Sequence, residues 1–509
     1  MVKGAGAAIR TEAPPDGEQV MNLTRTVLLC CLVLTEPVCF AQPDFARHAV
    51  PVAPAAADPA IARALKTIQP SRIQETINTL VRFGTRSTLS SMETELPAEQ
   101  GINAAADWIA AQFDEISKQC GGCLEVHRDT FVADPSSGGP WAGRIPRPTR
   151  LTNIYAILRG TDSEQAKRMY LVTGHYDSRN TNVLDGRGAA PGANDDGSGV
   201  AVSLECARAL SKLRFPATLV FVAVAGEEQG LVGSAHLAQL AREQGWDLRA
   251  VLNNDIVGGN TTPGDTMQLK DRVRVFSEGI PDAATMQQIR RIRALGEEND
   301  SASRELARAV SDTARTYFPS SAGSPFRVFY VFRPDRYLRG GDQTSFNHEG
   351  FAAVRFTEWR EDYNHQHQNV VLPPPGSGNP IRGDLPQFVD FRYVAQVARL
   401  NAATLATLAS SPGAPQNAEI VTRKLENATT LHWEPPAGAG AHVQYELLWR
   451  ETFAPDWQYV RVVEPTAPGA PVDITVPISK DNVIFGVRSV DDKGHRSLVV
   501  IPSPGGFNR

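Results

Sequence analysis

The chain has 509 residues, 42% hydrophobic, 21% charged and 7% aromatic, a globular composition that excludes a disordered, collagenous or multi-span membrane protein. Lys and Arg number 51 against 56 Asp and Glu, a net charge of −5, so no general basic field exists to hold nucleic-acid phosphates or an anionic bilayer. This length suggests two to four domains.

Residues 27–34 form the only strongly apolar N-terminal run, preceded by Arg25 and followed by Cys39-Phe40-Ala41. That order predicts a secretory signal peptide, because such a run is too short to cross a bilayer core of about 30 Å. Residues 1–41 are therefore set apart as upstream residues and signal peptide, with Met21 as a clean start. The expected product is secreted or periplasmic, without stable membrane insertion after cleavage. Three cysteines remain. Cys120-Gly-Gly-Cys123 follows a helical pattern rather than opening a helix, which favours a small structural disulfide over a redox motif. Cys206 lies on an apolar helical face and reads as buried filler.

Residues 42–60, rich in Ala and Pro, read as a tether or loosely held arm. From 61 to 116 the apolar spacing is helical, as in Ile73, Ile77 and Leu80, then Ile102, Ile109 and Phe113. Strands are predicted at 126–132, 153–158, 169–173, 217–225 and 250–256, with helices at 199–213 and 231–244. This alternation predicts an α/β domain whose mixed, mostly parallel sheet is sandwiched by helices. Residues 282–317 form a polar helical region with five arginines between Arg290 and Arg308, read as a solvated face or lid. Strands at 327–332 and 352–356 and a helix at 388–408 complete a domain spanning 61–409. Residues 410–415 form a linker, and short alternating strands over 416–509 predict an all-β sandwich. Within it, the segments at Trp433, Trp449 and Val487 resemble a fibronectin type III domain, with Phe485 where that family usually has Tyr. Such a module either docks to a polymer or cell surface or is a passive spacer, and fold alone implies neither.

Ligands of an open parallel sheet bind at the carboxyl ends of its strands. Four such places carry charge here: Gly174-His175-Tyr176-Asp177, the Asp195-Asp196 loop before a helix, Gly226-Glu227-Glu228, and Asp255. Taken singly, each has a plain reading as a turn, a helix cap or a loop histidine. Together they place several carboxylates at one dry rim, which requires cationic compensation. The imidazole of His175 favours zinc or a similar transition metal over calcium or magnesium. Two metals about 3.5–4 Å apart need a bridging carboxylate, while one acid must stay free as base.

These residues resemble the secreted dizinc aminopeptidase and glutamate carboxypeptidase family. The resemblance implies that His175, Asp195, Glu228 and Asp255 are zinc ligands, with Asp195 bridging two ions per chain. It also implies that Asp177 orients His175 and that Glu227 is the general base. The last ligand is a His after a further strand, for which His367 is preferred on its distance from Glu358, with His365 also open. Gln343 stands where the family commonly has His, which bears on local hydrogen bonding more than on metal. The expected function is an exopeptidase acting on peptides through a metal-bound hydroxide, an aminopeptidase in preference to a carboxypeptidase because no dedicated basic pocket is evident, although Arg333, Arg336 and Arg339 lie nearby. Alternatives are a single-metal glutaminyl cyclase of the same fold, or an inactive scaffold whose sandwich binds.

Overall fold

The apolar runs become the centre of an eight-stranded mixed sheet. Its order is Leu124–Ala133, Thr149–Leu158, Thr218–Val224, Arg168–His175, Asp247–Asn254, Ala353–Thr357, Arg272–Ser277 and Arg327–Val331. The computed structural model describes residues 43–505 apart from 48–49, 138, 324, 338 and 439–442, so the proposed signal peptide lies outside the described residues. Arg168–His175 runs parallel to both neighbours, and every residue of it and of Thr218–Val224 is buried. A strand covered on both faces reads as a nearly continuous apolar run, here Met169 to Val172 and Leu219 to Val224.

Leu171, Val220 and Val222 join Leu237, Ala238 and Ala241 of the helix Val232–Glu243 on one face. On the other, Val172, Phe221 and Leu252 pack with residues of the helices Pro70–Arg82, Gly101–Gln119, Gly197–Leu210 and Phe391–Ser410. The Cys120–Cys123 disulfide follows Gly101–Gln119, and Cys206 is free and buried.

Residues 416–504 supply seven strands of two four-stranded sheets around Trp433, Tyr445, Leu447, Trp449 and Phe485. The eighth comes from the other end of the chain: Val50–Pro51 pairs antiparallel with Tyr459–Val463, Phe45 packs against Tyr459, and the Trp449 indole donates to the Phe45 carbonyl. The expected loose arm is thus held in place. Asp44–Arg509 forms one compact unit.

The long polar region is also different from its reading. Gly296, left-handed at φ 69°, ends the helix Met286–Leu295, which buries nothing, and Ser301 caps a second helix, Ala302–Tyr317. Arg304 and Arg308 on the latter are buried, not solvated. Arg308 donates to the Pro455 carbonyl of the sandwich at 2.7 Å, and Trp457 donates to Glu305 at 2.9 Å.

Candidate metal centre

The parallel register brings the carboxyl ends of Arg168–His175, Thr218–Val224 and Asp247–Asn254 to one rim. His175 ends the first strand, Glu227 and Glu228 follow the second and Asp255 the third. The Asp195 loop reaches the same rim through its neighbour. Asp196 caps Gly197–Leu210 by accepting the Gly199 N–H, and also accepts the N–H of His175 at 3.0 Å and of Ile256 at 3.3 Å. Gly199 permits this closeness: a Cβ there would stand 2.2 Å from the Asn254 carbonyl oxygen.

Two triads that could each hold a metal ion result, His175–Asp195–Asp255 and Asp195–Glu228–His367. One carboxylate serves both: Asp195 Oδ1 lies 3.2 Å from His175 Nε2, and its Oδ2 lies 2.8 Å from His367 Nε2. His367 Nε2 is also 3.0 Å from Glu228 Oε1, and His175 Nε2 is 3.9 Å from Asp255 Oδ1. His365 is not brought there. It stacks on Phe388 at 3.5 Å and meets Thr262, and burial lowers its pKa. His367 reaches the cluster from a left-handed backbone, φ 58°, a conformation a non-glycine residue adopts at some cost.

Asp177 stands behind His175, with Oδ1 3.5 Å from Nδ1. Its two oxygens accept the N–H groups of Glu227 and Glu228, each at 3.1 Å, and Oδ2 also accepts from Thr88. Glu227 lines the cleft and belongs to neither triad. Gln343 sits in hydrogen bonds to Asp335, Pro334 and Asn253 and belongs to neither triad.

The donor set fits zinc. His175 Nε2 and Glu228 Oε1 are buried and make no hydrogen bond, although lone-pair-bearing atoms stand about a hydrogen-bond length away. Converging imidazoles and carboxylates of this kind need a cation to resolve them. Without one, burial pushes the Glu227 carboxyl well above its ordinary range, and Asp342 up to about 7. Burial opposes ionisation of Asp195 too, but His367 and His175 hold it well below the usual carboxylate range.

Several supporting residues escaped the sequence reading. Arg86 is wholly buried and donates to the carbonyls of Leu80, Tyr176, Pro191 and Gly192, tying the His175 and Asp195 loops together. Gln366 donates to Asp195 Oδ2 at 3.0 Å, and Asp384 accepts from the backbone of the Asp195 loop. No local pattern marks them, since their partners are remote in sequence.

Residues 153–371 match the sequence profile of peptidase family M28. A probable zinc metalloprotease of Pyricularia oryzae is 43% identical over 449 residues, covering 87% of this chain and 84% of that protein. One of Leptosphaeria maculans is 41% identical over 442 residues, covering 87% and 96%. Among solved structures, the LapA aminopeptidase of Legionella pneumophila aligns over 69% of this chain and 73% of its own, at 20% identity and a TM-score of 0.44. The chain belongs to peptidase family M28.

Proposed function

We propose that this protein is a metalloprotease and an exopeptidase, specifically an aminopeptidase, holding two zinc ions per chain. The observation that carries this reading is the sharing of Asp195 between two triads, with Glu227 left outside both. His175, Asp195 and Asp255 would hold one ion, and Asp195, Glu228 and His367 the other. Bound zinc supplies Lewis acidity and lowers the pKa of water from 15.7 to about 7. Glu227 accepts the proton of the attacking water and returns it to the leaving amine. Asp177 keeps His175 oriented and fixes the Glu227-Glu228 turn through its backbone N–H groups.

The choice of terminus rests on charge. Arg336 and Arg339 are taken up by Glu361, so neither is free for a C-terminal carboxylate, while the acid-rich floor suits an α-ammonium. A carboxypeptidase reading is favoured by one observation, the presence of Arg144 and Arg179 on the cleft wall. The disulfide at Cys120–Cys123 accords with an oxidising compartment and hence with secretion.

The test is metal content and hydrolysis of free and N-acetylated aminoacyl anilides and short peptides by the wild type and Glu227→Gln. About two zincs are expected in both proteins, with turnover of unblocked substrates reduced about 10²–10⁴-fold in the variant. Full activity in the variant would remove Glu227 from the mechanism, and cleavage confined to N-acetylated peptides would overturn the aminopeptidase assignment. A single bound ion would favour the cyclase alternative.

A further inference from the structure

A cleft of about 500 Å³ opens over the two triads, and four arginines line it: Arg144, Arg179, Arg336 and Arg339. Two are neutralised. Arg336 meets Asp335 at 2.9 Å and Glu361 at 2.8 Å, and Arg339 meets Glu361 at 3.3 Å. The other two are less closely paired. Arg144 makes no ion pair among the described residues, and its Nη1 donates to the Glu228 backbone oxygen at 2.9 Å. Arg179 Nε stands 3.9 Å from the Glu228 carboxylate, too far for a hydrogen bond, and is buried with no hydrogen-bond partner among the described residues.

Glu228 is a member of the second triad, so its negative charge would be shared between a bound metal and Arg179. Two half-buried guanidinium groups therefore share one wall on which Glu228, at 3.9 Å from Arg179, is the only carboxylate ion-paired with either among the described residues, an arrangement that a further carboxylate would complete. Burial lowers the pKa of Arg144, and the like charge of Arg179 lowers it further. Arg144 is nevertheless held in place, its guanidinium 4.2 Å above the Trp141 ring, so its planar fork is oriented before any ligand arrives.

We infer that Arg144 and Arg179 form a carboxylate subsite on the wall beside Glu228, which takes the free C-terminal carboxylate of a short peptide or an acidic side chain of a longer one. Guanidinium groups bind carboxylates through paired, charge-assisted hydrogen bonds, and such a ligand supplies the acceptor that Arg179 Nε lacks. The inference rests on the peptidase reading of the same cleft and names which peptides it prefers.

The experiment uses the zinc-loaded full chain and three peptides: Leu-Ala, Leu-Ala amide and Leu-Glu amide. Leu-Ala is expected to exceed its amide about tenfold or more in kcat/KM, chiefly through KM. Leu-Glu amide matching Leu-Ala identifies an acidic side chain as an accepted source, and Leu-Glu amide behaving as Leu-Ala amide restricts the subsite to the chain terminus. In Arg144→Gln and Arg179→Gln the ratio of acid to amide falls toward one, and Arg179→Lys keeps part of it. A ratio near one in the wild type for both carboxylate-bearing peptides, or a ratio that both Gln variants leave unchanged, overturns the subsite. Calorimetric binding of the same peptides to zinc-loaded Glu227→Gln separates the two readings. Acid bound about tenfold tighter than amide, with no hydrolysis by the wild type, sinks the exopeptidase reading and keeps the subsite. Hydrolysis without any preference for carboxylate, in rate or in binding, does the reverse.

Discussion

The carboxylate of Asp384 accepts the backbone N–H of Asp195 at 2.7 Å, across 189 residues of sequence, and its other oxygen accepts the N–H of Asn194 at 2.8 Å. This clamp sets the loop that carries the shared ligand. Asp384→Asn places an amide NH₂ against one of those N–H groups and removes one acceptor. Zinc affinity is expected to fall about 10–100-fold, as for other partners that orient metal ligands. Competition with a fluorescent chelator measures this, and an unchanged affinity would show that the loop keeps its shape without the clamp.

Arg355, wholly buried, holds a guanidinium nitrogen 2.9 Å from Asp255 Oδ1. A fixed cation this close to one member of the His175 triad opposes the arrival of another cation, whereas the arginine beside the second triad, Arg179, stands farther off, at 3.9 Å from Glu228. Stepwise chelation should therefore empty the His175–Asp195–Asp255 site first. Titration with EDTA, counting metal at each step, should pass through a plateau near one zinc per chain. The ion remaining there should be missing from His367→Ala, and a variant that kept it would reverse the order.

The sandwich is joined to the α/β layers by buried charge. Arg450, on the strand Gln444–Glu451, pairs with Asp300, and both are almost fully buried. Arg450→Ala leaves that carboxylate without its closest cation and should destabilise the chain by about 3–5 kcal/mol. Urea unfolding should show a single transition shifted to lower denaturant, with activity per folded molecule retained. Two separated transitions would mean that the parts unfold independently.

Stability should also depend on Glu278, whose carboxyl burial pushes from 4.5 up to about 7. Between these values the unfolded chain has lost the proton that the folded chain keeps, so stability present at low pH declines as pH rises through 7. The decline attributable to this one group is about 2–3 kcal/mol from pH 5 to 8. Glu278→Gln removes it, which urea midpoints at pH 5, 6, 7 and 8 would reveal as a flatter profile. A constant difference between variant and wild type at all four values would exclude Glu278 as the source.

The legible parts of the chain were those whose signal is local. Continuous apolar runs such as Leu219 to Val224 announce strands covered on both faces, and the polar residues straight after them announce the rim where His175, Glu227, Glu228 and Asp255 meet. The strand Arg272–Ser277 was missed because its residues alternate with arginines, as suits its antiparallel pairing with Ala353–Thr357. The arginines of Ala302–Tyr317 read as solvent-facing because their partners, Pro455 among them, arrive from another part of the chain.

Sequence alone determined the succession of helices and strands and the titratable residues at the strand ends, because periodicity and turn chemistry act over a few residues. Only the tertiary structure brought His367 rather than His365 to the Asp195 cluster, seated Asp384, Gln366 and Arg86 behind the Asp195 loop, bound the N-terminal arm into the sandwich, and brought Arg144 to the cleft wall beside Arg179. Each of these depends on contacts between segments remote along the chain, and such contacts are set by how layers pack around a core, which no local pattern encodes.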